Sequence, residues 1–189
     1  ALNAQDIAGP EDAPAFSISR KDAAGLLKLL EKEEELSVTF DADTRVRRNC
    51  TTYNIVGSIP GEHPERMVLL SAHYDSYFSG FQDDNTAVAM MLGIARALLR
   101  SGVKPKNTIV ICAMAAEEWG VIDSNFDWST GAYEQVFMAH PEWVGKVIAD
   151  LNFELPALAH GTRARIRSCY EYVDFLEEYL EAVSYTHLT

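Results

Sequence analysis

The chain has no apolar run approaching the roughly 18 consecutive residues of a membrane-spanning helix, so nothing in it predicts an intrinsic membrane segment. Basic residues are scarce: 16 Lys and Arg stand against 28 Asp and Glu, a net charge of −12. A surface of that sign repels phosphate backbones and anionic bilayers, which argues against a nucleic-acid partner. Cysteine is sparse as well. Cys50, Cys112 and Cys169 lack finger-type metal spacing and give no disulfide framework, and Cys112 lies in an apolar run where a small buried side chain is expected. There is no internal repeat, no low-complexity tract and no basic-then-apolar leader at Ala1-Leu2-Asn3-Ala4-Gln5, so the compartment is left open. What is present, 48 % hydrophobic and 23 % charged residues in 189, suits a globular chain long enough to bury one core.

Two textures follow one another. Residues 1–41 open on Pro, Asp and Glu, then offer a strand at 16–18, a helix capped by Ser19 with Ala23, Ala24, Leu26, Leu27, Leu29 and Leu30 clustered on one side, and a short strand at 38–40. From residue 45 strands alternate with helices, the pattern of a sheet covered by helices. Strands are expected at 51–57, 67–72, 108–114 and 145–153; the second and third are nearly continuous apolar runs, as in strands buried on both faces. The spacing of Val88, Met91, Leu92, Ala95, Leu98 and Leu99 predicts a helix over 85–100 that Gly102 stops. A second amphipathic helix is expected at 170–183.

Each apolar strand runs into a polar cluster: His73-Tyr74-Asp75, then Glu117-Glu118, then Glu154 after Asn152-Phe153. Asp83-Asp84-Asn85 opens the long helix. In such sheets the carboxyl ends of the strands converge on a ligand crevice, so one imidazole and several carboxylates would share it. Singly, each has an ordinary reading: a structural histidine, a helix cap, a solvated acidic pair. Together they repel one another unless a cation intervenes, and a nitrogen and oxygen donor set suits zinc or a related divalent ion.

The text around these residues resembles a known family. Asn54-Ile55-Val56-Gly57-Ser58-Ile59-Pro60-Gly61, Ser71-Ala72-His73-Tyr74-Asp75-Ser76, Gln82-Asp83-Asp84-Asn85-Thr86-Ala87, Ala115-Ala116-Glu117-Glu118-Trp119-Gly120 and Leu151-Asn152-Phe153-Glu154 occur in the order seen in the co-catalytic zinc aminopeptidases of clan MH. That clan also holds glutamate-carboxypeptidase-like and transferrin-receptor-like members. The resemblance implies a three-layer α/β/α fold with a mixed, mostly parallel sheet, and aminopeptidase activity on peptide substrates with two Zn2+ ions in a complete site. It gives His73 and Glu154 to one zinc, Glu118 to the other and Asp84 to both, with Asp75 orienting the His73 imidazole. Glu117 would be the general base, taking a proton from a zinc-bridging hydroxide's parent water and passing it to the leaving amine. A carboxypeptidase or amidohydrolase of the same fold, or a receptor-type homologue without activity, are the alternatives. Trp119, Phe126, Trp128 and Tyr133 fit either an apolar specificity pocket or simple packing.

Two departures qualify the resemblance. Glu154 stands where the family has Asp, and the family's last histidine ligand lies well downstream of these motifs. His63, His140 and His160 read as surface histidines, and residues 183–189, with His187, resemble translated sequencing-adapter text. The expected organisation is therefore the end of a protease-associated domain over 1–41, a truncated zinc peptidase domain over 42–182 and a non-native tail over 183–189, with one zinc or none held by this chain. A secreted or cell-envelope location follows from the resemblance alone.

Overall fold

In the computed structural model, residues 16–32, 35–41, 43, 49–120, 128–157 and 165–187 are described. The chain forms two compact units, Ala1–Leu155 and Pro156–Thr189. In the first, helix α1 (Arg20–Leu30) begins where the Ser19 hydroxyl accepts the Asp22 N–H at 3.1 Å, the expected cap. None of its residues is buried, and Leu27, Leu29 and Leu30 lie exposed. The strands expected at 16–18 and 38–40 are absent. Instead the rings of Phe16 and Phe40 stack with centroids 4.1 Å apart, a side-chain contact in place of a backbone ladder.

Four strands form one mixed sheet: β1 (Ile55–Ile59), β2 (His63–His73), β3 (Asn107–Met114) and β4 (Val147–Asn152), in the order β1-β3-β2-β4. β1 runs antiparallel to β3, whereas β2 is parallel to both β3 and β4. β1 starts later than its composition suggests, because its ladder with β3 begins only at Ile55 opposite Ala113. The parallel pair β2 and β3 is joined by helix α2 (Thr86–Ser101), which Gly102 ends at φ 69°, in the left-handed region that glycine adopts freely.

Alternation along β2 sorts the core into two faces. Leu70 and Ala72 pack against Ala87 and Met91 of α2. Met67 and Leu69, with Val110, Cys112 and Met114 of β3, pack on the other face against Trp143 and Ala132. Ala132 belongs to helix α3 (Thr130–Tyr133), so the sheet is a middle layer with helices on both sides. This is the three-layer α/β/α arrangement that the resemblance implies.

The order of connections positions the site. After β3 the chain crosses β2 to pair on its far side as β4. The carboxyl end of β2 is thus flanked by those of β3 and β4, the switch point at which open α/β sheets bind ligands. The second unit contains a short 3-10 turn at Tyr170–Tyr172 and helix α4 (Val173–His187), whose backbone continues through the segment 184–187, where the sequence reading ends it. No Gly or Pro is present there to break it. Among the described residues no helix is long and apolar enough to cross a membrane.

Candidate metal centre

His73 is the last residue of β2 and is 2 % exposed. Its Nδ1 lies 2.9 Å from the backbone carbonyl of Asp75. A carbonyl only accepts, so Nδ1–H donates, and in the neutral ring that metal binding requires Nε2 would present its lone pair to the crevice. Asp75 thus orients the imidazole through its main chain. Its carboxylate, 3.6 Å from Nδ1, is engaged elsewhere: Oδ1 accepts the Glu117 N–H at 3.1 Å and Oδ2 the Glu118 N–H at 3.2 Å. Ala116, at φ 52°, turns the chain so that these two amides point the same way, forming a small anion-binding nest.

Four carboxylates converge on His73 Nε2. Asp83 Oδ1 is 3.0 Å away, Glu154 Oε1 3.5 Å, and Asp84 Oδ2 and Glu117 Oε2 each 3.9 Å. Glu154 arrives because Phe153 N–H donates to the Ser71 carbonyl at 2.8 Å, prolonging the β2–β4 pairing past Asn152. Asp83 and Asp84 both reach the site because they do not form the helix cap their position suggests. They have non-helical φ and ψ, and the cis Asp83–Asp84 peptide lies between them. Asp84 is fully buried, with Oδ1 accepting the Leu155 N–H at 3.1 Å. Glu118 is 6 % exposed.

The donors fall into two groups, His73 with Asp83 and Glu118, and His73 with Asp84 and Glu154, in each of which the ligand atoms lie within 4.8 Å of one another. Asp83, which the sequence reading passes over in favour of its neighbour, is the carboxylate nearest His73. The doublet itself was the available signal. Whether a divalent cation fits can be judged from the polar atoms: His73 Nε2, Asp83 Oδ1 and Asp84 Oδ2 are buried without a hydrogen-bond partner of acceptable geometry. Buried polar atoms are normally satisfied, and three aimed into one crevice, two of them carboxylate oxygens, fit a cation.

Electrostatics point the same way. Burial pulls the His73 pKa down, but the Glu154 carboxylate, as an acceptor close to Nε2 and as a charge, and the charges of Glu117 and Asp84 outweigh it and push it up to about 10. Burial, then the Glu154 charge, lifts Asp84 to about 7 against the opposing Leu155 N–H and His73. Glu117 is raised by burial, opposed by a hydrogen bond from the Trp128 indole and by His73. Glu118 is raised by burial and by Asp83 and Glu117. Crowded acids that resist ionisation are what a divalent cation would relieve.

Around this centre, Trp119 and Trp128 are exposed, and Trp119 sits 6.4 Å from the Tyr77 ring. Tyr133 turns instead to Phe137, with centroids 5.0 Å apart, and Phe126 lies outside the described residues. His63 pairs with Glu65 at 3.4 Å and His140 with Glu142 at 2.8 Å, both on the surface; His160 also lies outside the described residues.

The sequence profile of Peptidase family M28 matches residues 54–186. The chain is 33 % identical over 116 residues to probable leucine aminopeptidase 2 of Aspergillus fumigatus, covering 60 % of this chain and 22 % of that one. It is 42 % identical over 105 residues to probable glutamate carboxypeptidase VP8 of Zea mays, covering 53 % and 14 %. This chain therefore spans less than a quarter of the length of either relative. Among solved structures, an Acidobacteriales bacterium glutaminyl cyclase superposes over 69 % of this chain and 46 % of its own with a TM-score of 0.51 at 16 % identity, a likeness of fold.

Proposed function

The chain belongs to peptidase family M28, and from that premise we propose that it carries the zinc-binding core of an aminopeptidase acting on the N-terminal peptide bond of peptide substrates. The observation that carries this reading is the convergence of Asp83, Asp84, Glu117 and Glu154 on Nε2 of the His73 ring, with three buried polar atoms there without a hydrogen-bond partner of acceptable geometry. His73, Asp84 and Glu154 would hold one zinc, and Glu118 with Asp83 would supply part of a second site, which in the family a downstream histidine completes. Zinc there supplies Lewis acidity, polarising a carbonyl and bringing a water's pKa down to about 7.

The chain's own residues supply the rest. Glu117 is held by donors, with the Ser129 hydroxyl 3.4 Å from Oε1 and the Trp128 indole also donating, while Oε2 faces His73 Nε2. That leaves a carboxylate oxygen turned into the crevice to take a proton from the attacking water and return it to the leaving amine. Among the described residues five carboxylates, of Asp75, Asp83, Asp84, Glu117 and Glu154, lie within 4 Å of the His73 ring, a negative excess over two zinc ions that supports binding of a substrate's α-ammonium rather than a terminal carboxylate, and so the aminopeptidase reading.

Parallel assays of the zinc-loaded chain on an aminoacyl anilide and on a peptide ending in glutamate test the reading. The anilide is expected to turn over, and Glu117→Gln to keep zinc while losing about 100-fold or more in rate. Preference for the glutamate peptide would transfer the assignment to a carboxypeptidase. Zinc binding without turnover of either substrate would favour the receptor-type alternative.

A further inference from the structure

The motif residue that the site has not absorbed is Asn54. It stands just ahead of β1, and its side-chain amide makes three hydrogen bonds, all to segments distant in sequence. Oδ1 accepts the Ala115 N–H at 2.8 Å, and Nδ2 donates to the Gly131 carbonyl at 2.8 Å and to Gln135 Oε1 at 3.0 Å. Gln135 is buried.

Both segments lead to Glu117. Ala115 lies two residues before it, directly ahead of the left-handed Ala116 that sets the nest. Gly131, the second residue of α3, comes two residues after Ser129, whose N–H donates to the Glu117 carbonyl at 2.8 Å and whose hydroxyl approaches Oε1. Trp128, the other donor to the Glu117 carboxylate, comes one residue earlier. The two segments touch closely: a Cβ on Gly131 would stand 1.8 Å from the Ala115 carbonyl oxygen. A single amide thus ties the backbone that carries Glu117 to the backbone that carries the donors holding its side chain.

We infer that Asn54 is a positioning residue for Glu117, fixing the carboxylate's direction by joining the Ala115 turn to the Gly131 helix without touching substrate or metal. The inference rests on the reading of Glu117 as general base. Positioning of this kind acts on the chemical step, where a displacement of about 1 Å can cost roughly 100-fold. Asp75 holds the Glu117 amide from the other side and remains in place when Asn54 is changed, so the turn loosens without collapsing.

The test compares Asn54→Ala and the isosteric Asn54→Asp with the parent chain by amide hydrogen exchange and, zinc-loaded, by anilide turnover. The Asp variant keeps an acceptor for Ala115 N–H and loses both donors, so it decides the matter where the Ala variant does not fold. Expected is at least about tenfold faster exchange at Ala115, Glu117 and Ser129, with Leu69 and Leu70 unchanged. With it, kcat falls about 10- to 100-fold while KM and zinc content stay within about twofold. Unchanged exchange and kcat in a folded Asn54 variant, or exchange that rises equally across the sheet, would overturn the inference. If Glu117→Gln retains turnover, the base reading fails instead, and exchange alone then reports that Asn54 holds a turn but positions no base.

Discussion

The Asp75 carboxylate lies behind Glu117, accepting its backbone N–H at 3.1 Å and the next N–H, of Glu118, at 3.2 Å. The acid beside the histidine therefore supports the strand-end turn that presents two other site carboxylates, while its own main chain orients the imidazole. Two ionic hydrogen bonds to one carboxylate are worth more than neutral ones. Asp75→Asn replaces one acceptor oxygen by an NH2 group facing an N–H donor. The expected cost is about 1.5 to 3 kcal/mol in denaturant unfolding, with zinc affinity nearly retained because the His73 Nδ1 partner is a backbone carbonyl. Intact stability with lost zinc affinity would instead place the carboxylate on the ring.

Zinc should act as a structural ligand of the folded chain. At about 100 times its dissociation constant it is expected to add roughly 2.7 kcal/mol, read as a saturable rise in melting temperature that a chelator reverses. Asp84→Asn gives a control of opposite sign. Its amide oxygen can still accept the Leu155 N–H, and it removes a buried charge from a crowded cluster. The cation-free variant should therefore melt higher than the parent and gain much less from zinc. Equal zinc increments in the two proteins would exclude Asp84 from the centre.

How far the sequence reveals this arrangement depends on what each feature rests on. β2 and α2 are legible because continuous apolar runs and a 3.6-residue spacing are local signals of burial. The start of β1 is not, since residues 51–54 are as suited to a strand as 55–57, and only the partner's register decides where the ladder begins. His73, Glu117 and Glu154 are legible as polar residues closing apolar strands. The choice between Asp83 and Asp84 is not, because it depends on non-helical backbone angles that no side chain announces. The double role of Asp75 is hidden for the same reason: it requires a positive φ at Ala116, a residue that rarely adopts one.

Thiol chemistry offers a check on the core independent of metal. Cys112 is fully buried, and burial, with the Asp150 charge adding to it, pushes its thiol up to about 12. A raised thiol pKa leaves less thiolate at every pH below it, about one in ten thousand at pH 8, and the thiolate is the reactive form. Cys50 and Cys169 are exposed. Titration of the native chain with a disulfide reagent at pH 8 should therefore show two fast thiols, with the third appearing only on unfolding. Three fast thiols would mean that the β3 face opposite α2 is open.

Two glycine substitutions should move stability in opposite directions and so separate propensity from packing. Gly93 lies exposed in the middle of α2 with nothing within 4 Å of an added Cβ. Gly93→Ala restricts the unfolded chain and favours the helix, and should stabilise by about 0.5 to 1 kcal/mol. Gly131 is also helical, but its added Cβ would meet the Ala115 carbonyl oxygen at 1.8 Å and Asn54 Oδ1 at 2.9 Å. Both obstacles belong to fixed groups, so the helix must back away from the turn that leads to Glu117. Gly131→Ala is expected to lose about 1 to 3 kcal/mol in denaturant unfolding at an unchanged m-value. A Gly131→Ala chain as stable as the parent would mean that α3 does not press on Ala115, and the close contact joining the two segments around the candidate base would be lost with it.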